Sequence, residues 1–296
     1  MSSKILFDRL ALIGLGLMGA SLALALRRHG AVKEIVGVSR TAGTAARALE
    51  LGVVDRCTDT PQAAADGADA VVIATPVRAV PQVLREIESS RPAHAVITDV
   101  GSVKGYVVEQ ARTILGPMSM PRFVPGHPIA GTERSGVDAA FAELYENHHV
   151  VLTPVEETDP QALDAVRRMW EVTGSDVIEM PVAQHDSILA ATSHLPHVIA
   201  YALVGYLAED PRGARMFELA AGGFYDFTRI ASSDPTMWRD ICLTNKQCIV
   251  TAMQGFRARI DSFVEAIEAG EGDRLLRWFE HAKQARDTGL EKKGRR

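Results

Sequence analysis

Cysteine is scarce in this chain of 296 residues: only Cys57, Cys242 and Cys248 occur, with no C-x-x-C pair among them. A disulfide framework or a zinc site needs more sulfur at closer spacing, so the three read as reduced thiols. Basic charge is also short. A formal net charge of −5 leaves no cationic surplus for phosphates or anionic lipid, so neither nucleic acid nor a membrane surface is an expected partner. The apolar stretch 10–26 is interrupted by Gly14, Gly16 and Gly19 and falls short of the ~20 residues a bilayer span requires. Asp8 and Arg9 stand just before it, where a leader would need a different pattern. A cytoplasmic protein is expected, and no spacing of His, Cys and acids suggests a metal site.

What the chain does have is enough apolar residue, 47%, to bury a sizeable core across two domains. Short β-branched runs at 10–13, 34–38, 70–74, 95–99, 123–125, 150–153 and 177–179 alternate with helical patterns at 20–28, 44–51, 81–88, 104–114 and 160–172. That alternation predicts a doubly wound, Rossmann-type α/β sheet covered by helices. After Met180-Pro181 the apolar period is helical through 188–207, 237–264 and 275–285, so an all-helical second domain is expected. The boundary is placed near Val182, giving domains 1–182 and 183–296, and the charged residues 291–296 read as a frayed tail.

Gly14-Leu15-Gly16-Leu17-Met18-Gly19 follows a predicted strand and opens a predicted helix, the context in which G-x-G-x-x-G marks a dinucleotide site. The first glycine permits the turn, the second lets backbone approach a pyrophosphate, and the third lets the helix approach the strand. About 20 residues on, where an acid would bind a ribose 2′-hydroxyl, stand Ser39 and Arg40. A hydroxyl and a guanidinium there favour a 2′-phosphate, so NADP is expected over NAD. Thr75-Pro76-Val77, at the end of another predicted strand, is placed on the nicotinamide side. Asp55, Asp66 and Asp69 are read as turn and cap residues.

Further segments carry polar residues unusual for their surroundings. Thr98-Asp99-Val100-Gly101-Ser102-Val103-Lys104 runs from strand to helix and offers hydroxyl, amine and backbone donors. Gly126-His127-Pro128-Ile129-Ala130-Gly131-Thr132-Glu133 puts a histidine between glycine and proline, expected in irregular backbone facing the crevice. In the helical half lie Ser193-His194-Leu195-Pro196-His197, then Phe227-Thr228-Arg229 and Asp234-Pro235-Thr236-Met237-Trp238. The two histidines also fit a kink around Pro196, and Asp234-Pro235 also fits a helix N-cap with proline following.

Taken together, D-V-G-S-V-K, G-H-P-I-A-G-T, S-H-L-P-H and D-F-T-R-I-A-x-S-D-P-x-M-W behind the glycine turn resemble the prephenate/arogenate dehydrogenase family over nearly the whole chain, in order. The resemblance implies a Rossmann domain followed by a helical domain that usually dimerises, with the active site in the cleft between them. It implies oxidative decarboxylation of prephenate or arogenate with hydride transfer to NAD(P), in tyrosine biosynthesis, by a bare catalytic form without a mutase or regulatory segment. His127 matches the residue that accepts the substrate hydroxyl proton, and Ser102 the one that orients substrate or nicotinamide beside it. His197 and Arg229 match groups for the substrate carboxylates, Gly131 and Thr132 complete the polar wall, and Glu133 and Asp226 match partners of the arginine. Trp238 matches a tryptophan near the substrate cleft, with interdomain packing the favoured reading. A β-hydroxyacid dehydrogenase would need N-x-x-K in the second domain, but Asn245 is followed at once by Lys246. A cofactor sensor without catalysis would not need His127, Ser102, His197 and Arg229 together.

Overall fold

Every one of the seven expected strands forms in the computed structural model, which describes residues 5–132 and 134–294. Strands β1 (Phe7–Ile13), β2 (Val32–Val38), β3 (Arg56–Thr58), β4 (Ala70–Ile73), β5 (Val96–Asp99) and β6 (Phe123–Val124) make one six-stranded parallel sheet. Its order, β3-β2-β1-β4-β5-β6, is the dinucleotide-binding one, reversing direction between β1 and β4. Helices α1 (Leu17–Arg28), α2 (Ala42–Glu50), α3 (Pro61–Ala65), α4 (Val80–Glu88) and α5 (Lys104–Ser119) make the crossovers. Leu10, Leu12, Leu22, Leu26, Ile35 and Val72 are buried between sheet and helices.

The later strands depart from the single sheet expected. Pro125 has no N–H to continue the ladder, so β6 stops after pairing Thr98 with Val124. The chain re-forms as β7 (Gly126–Pro128), antiparallel to β8 (His149–Leu152), which pairs in parallel with β9 (Asp176–Glu179) in a separate three-stranded sheet. His127 is thus a strand residue paired with Val151, not part of an irregular loop. Helix α6 (Pro160–Glu171), capped by the Asp159 carboxylate, buries Trp170 and Met169.

From Val182 the chain is helical. Helix α7 (Val182–Leu189) passes through a π-turn, Ala190–His194, into α8 (Leu195–Glu209), where Pro196 cannot donate the regular bond. Helices α9 (Gly213–Leu219), α10 (Gly222–Thr228) and α11 (Pro235–Thr244) follow, the last capped by Asp234 through Met237 N at 2.8 Å. Asn245 separates α11 from α12 (Lys246–Glu268), dividing the stretch expected as one helix. Helix α13 (Gly272–Gly294) runs through most of the expected tail. The span Val182–Glu209 is long and apolar enough to cross a membrane by length and composition, unlike the glycine-interrupted stretch 10–26.

By compactness the chain divides into Met1–Lys246 and Gln247–Arg296. The first unit holds every expected site residue. In the second, α12 exposes Met253, Phe256, Ile260, Val264 and Ile267 at helical spacing, and α13 exposes Leu276 and Phe279.

Candidate active site

Two of the three fingerprint glycines are demanded by the backbone alone. Gly14 sits at φ +108, and a Cβ there would lie 2.4 Å from the Ala74 carbonyl oxygen; one on Gly19 would lie 2.2 Å from the Gly14 oxygen. Gly16 differs. It is the N-cap of α1, makes no side-chain cap bond, and a Cβ there would meet nothing within 4 Å. Space above uncapped helix N–H groups suits an anion, and the neighbouring Thr75 hydroxyl is buried without a partner. These residues fit a dinucleotide diphosphate, with Leu15 and Leu17 buried beneath the turn and Met18 packed against the core. Ser39 and Arg40 follow β2 at the same carboxyl edge. Arg40 is exposed and has no ion-pair partner among the described residues. Pro76 and Val77 lead from β4 into a 3-10 turn. Asp55 and Asp69 are structural acceptors, though not for their own turns: they bond strand N–H groups distant in sequence, Ile35 N in β2 and Asp8 N and Arg9 N in β1, while Asp66 is the C-cap of α3.

One strand over, a fully buried ion pair holds the second loop. Asp99 accepts from Gly101 N (2.8 Å), from Gly126 N (3.3 Å) and from the Lys104 ammonium, which also donates to Gly126 O at 2.6 Å. The loop carrying Ser102 and the strand carrying His127 are thereby stapled together. Lys104 is spent in this staple rather than offered to a ligand, contrary to the amine donor expected from sequence. Burial pulls its ammonium below the usual lysine range, with Asp99 opposing. Ser102, half-buried, makes no hydrogen bond to the described chain.

His127 is 9% exposed, and its Nδ1 lies 2.9 Å from His185 Nε2. Its Nε2 has no partner among the described residues. Burial first, then the cationic forms of His185, Lys104 and His194, hold its pKa well below the ordinary imidazole value. A neutral base is the result. Behind it, His185 Nδ1 meets Asp186 Oδ1 at 2.8 Å, and the Asp186 carboxylate also accepts from Lys104 N (2.8 Å) and Gly105 N (2.7 Å). Burial would raise the Asp186 carboxyl, but these donors hold it below its usual value.

The helical wall is built on Trp238. His197 stacks on its ring at 3.7 Å between centroids, and His194 meets it edge-on at 6.0 Å. Trp238 therefore packs on the histidines themselves, with Nε1 buried and unpartnered. Burial brings His194 to about 4; it also lowers His197, where Arg229 adds to the effect. That coupling puts Arg229, exposed at the start of a 3-10 turn, in electrostatic range of His197. Gly131 and Thr132 are exposed, and Thr132 Oγ1 accepts from Arg134 N at 3.2 Å rather than joining the buried cluster. Glu133 lies outside the described residues. Asp226 is exposed on α10.

His185 and Asp186 were not anticipated from the sequence, and Asn245 was met there only as a residue lacking the N-x-x-K spacing. Asn245 donates to the Asp186 carbonyl at 2.9 Å and lies 3.2 Å from His194 Nδ1, a structural tie rather than a catalytic one. No motif links these positions to His127. The available signal was two adjacent ionisable residues, His185 and Asp186, in the short helix α7. Among the described residues, no cluster could hold a metal ion.

Comparison with known proteins agrees with this layout. Residues 22–179 match the family model described as prephenate dehydrogenase, nucleotide-binding domain, and 181–281 match prephenate dehydrogenase, dimerization domain. The prephenate dehydrogenase of Bacillus subtilis is 39% identical over 95% of this chain and 76% of its own length. The cyclohexadienyl dehydrogenase of Zymomonas mobilis is 38% identical over 95% of each. The Aquifex aeolicus prephenate dehydrogenase, crystallised with hydroxyphenyl propionate and NAD+, superposes with a TM-score of 0.88 at 38% identity, covering 94% of this chain and 97% of that one.

Proposed function

The chain belongs to the prephenate dehydrogenase family, and on that premise we propose that it oxidatively decarboxylates prephenate, arogenate or both. The observation that carries the reading is His127: an imidazole kept neutral by burial, tied at Nδ1, and without a partner at Nε2 among the described residues. It follows β6 closely along the chain, as the glycine turn follows β1 and Thr75 follows β4 in the same parallel sheet.

A nicotinamide, when bound, supplies the hydride acceptor. His127 Nε2 takes the proton of the substrate 4-hydroxyl as C4 gives up hydride, leaving a ring carbonyl. The electron pair of the carboxylate bond then flows into the ring as CO2 leaves, and the proton returns from His127 to the new phenolate oxygen. Aromatisation drives the sequence, so the protein's task is orientation and one proton. Ser102 orients substrate or nicotinamide beside His127. Arg229 and His197 hold the carboxylates, Arg229 as a fixed cation, Gly131 and Thr132 complete the polar wall, and Glu133 and Asp226 are assigned as partners of the arginine.

NADP is the cofactor we favour, with NAD the alternative, because Ser39 and the unpaired Arg40 stand where an acid would select against a 2′-phosphate. Gly14, Leu15, Gly16, Leu17, Met18, Gly19, Thr75, Pro76, Val77 and Gly101 form the rest of its site. We place the domain boundary near Val182, a division supported by family matches that meet at that point. The working form is a cytoplasmic homodimer. A matched dimerization domain and the exposed apolar stripe on α12 support that assembly, and burial in it suits α7–α8 better than a bilayer, since that helix carries His185, Asp186, His194 and His197 into the site.

The test crosses each substrate with each dinucleotide, following reduced nicotinamide and CO2 together. Equal amounts of both with at least one pair support the reading. No turnover with any pair, despite bound dinucleotide, overturns it. An NADP preference of at least about tenfold, or ~1.4 kcal/mol, supports the role given to Arg40, and an NAD preference overturns it.

A further inference from the structure

The geometry points to His185 as the positioning residue that fixes the tautomer of His127, with Asp186 fixing His185 in turn. This rests on the reading of His127 as the base. Asp186 accepts from Lys104 N, Gly105 N and His185 Nδ1, and a carboxylate can only accept. His185 Nδ1 must therefore carry a hydrogen. In a neutral His185 the other nitrogen, Nε2, is a lone pair, and it lies 2.9 Å from His127 Nδ1. His127 Nδ1 is then the donor. Its own lone pair is left on Nε2, the nitrogen with no hydrogen-bond partner among the described residues.

The opposite arrangement is chemically complete but catalytically void. A doubly protonated His185 would donate to His127 Nδ1 and put the His127 hydrogen on Nε2, where it could accept nothing. Which arrangement holds is thus decided one residue behind the base. Among the described residues, the titratable groups facing His127 are Lys104 from α5, His194 from the π-turn and His185 from α7, none of them a carboxylate. A free imidazole side chain prefers its hydrogen on Nε2, so without His185 the wrong tautomer would dominate. The same carboxylate that orients His185 also caps α5, linking α7, the start of α5 and β7 in one bonded chain.

The experiment compares wild type with His185→Leu, which cannot accept, and His185→Gln, whose amide oxygen can. For wild type and both variants, kcat, KM and the pH profile are measured, with 15N spectra of histidine-labelled protein assigned by a His127→Asn sample. In wild type, His127 should show a hydrogen on Nδ1 and a lone pair on Nε2. His185→Leu should lose roughly 100-fold in kcat with KM within about threefold, and its His127 signals should move towards the other tautomer. His185→Gln should recover to within about tenfold of wild type. Wild-type kcat in His185→Leu, or a His127 that carries its hydrogen on Nε2 in wild type, overturns the proposal. If His185→Leu does not fold, the wild-type spectrum and His185→Gln decide. A wild type that turns over no substrate defeats the functional reading instead, while its spectrum still decides the tautomer.

Discussion

Histidines kept neutral by burial make both activity and stability depend on acid. His194 titrates near 6.5 when unfolded and at about 4 in place. Below 6.5 the unfolded chain therefore binds a proton the folded chain refuses, and stability falls with pH through that window and is untouched above it. The loss is on the order of 3 kcal/mol by pH 4, and His127, lowered in the same direction, adds to it. Thermal unfolding between pH 7.5 and 4.5 should show a falling Tm, with a shallower slope in His194→Gln; an unchanged slope would remove His194 as a cause. His127 and Ser102 were legible because each sits in a motif at a strand's carboxyl end. His185 and Asp186 were not, since a hydrogen bond across 58 residues leaves no periodic trace. Lys104 misled for a related reason: an amine at a helix start looks available until Asp99 and Gly126 are seen around it.

At the level of elements, the β1–α1 turn separates a folding role from a binding role. Gly16→Ala should fold as wild type, since the new methyl meets nothing, yet weaken dinucleotide binding by tenfold or more, on the order of 1.4 kcal/mol. Gly14→Ala should lose thermal stability outright, because its Cβ would strike the Ala74 carbonyl. Calorimetry and dinucleotide titration read the two, and a destabilised Gly16→Ala with unchanged affinity would contradict the assignment. The β5–α5 staple makes a second expectation. Lys104→Met leaves Asp99 buried without its cation, at a cost of about 3–5 kcal/mol, and should lower Tm and activity together. Retention of both would show the pair to be dispensable. The large sheet was legible from its alternating β-branched runs. β3 and β7 were not, because three residues carry no period and β7 follows one proline and ends on another, and for the same reason the second sheet was folded into the first.

Across the whole molecule, the unsatisfied feature is apolar surface. Ile260 lies mid-stripe on α12, so Ile260→Asp should shift sedimentation towards the monomer and reduce thermal stability. A wild type that sediments as a monomer would place that surface against something other than a second copy. Catalysis tests the account most directly, through its one proton acceptor. Nicotinamide reduction is measured with prephenate and with arogenate, for wild type and His127→Asn, at saturating dinucleotide. The account requires wild-type turnover and a loss of roughly 1000-fold in kcat for the variant, with KM and dinucleotide affinity little changed. A His127→Asn enzyme that turns over within a few fold of wild type would contradict it, since the hydroxyl proton would then go to a group other than the one assigned here.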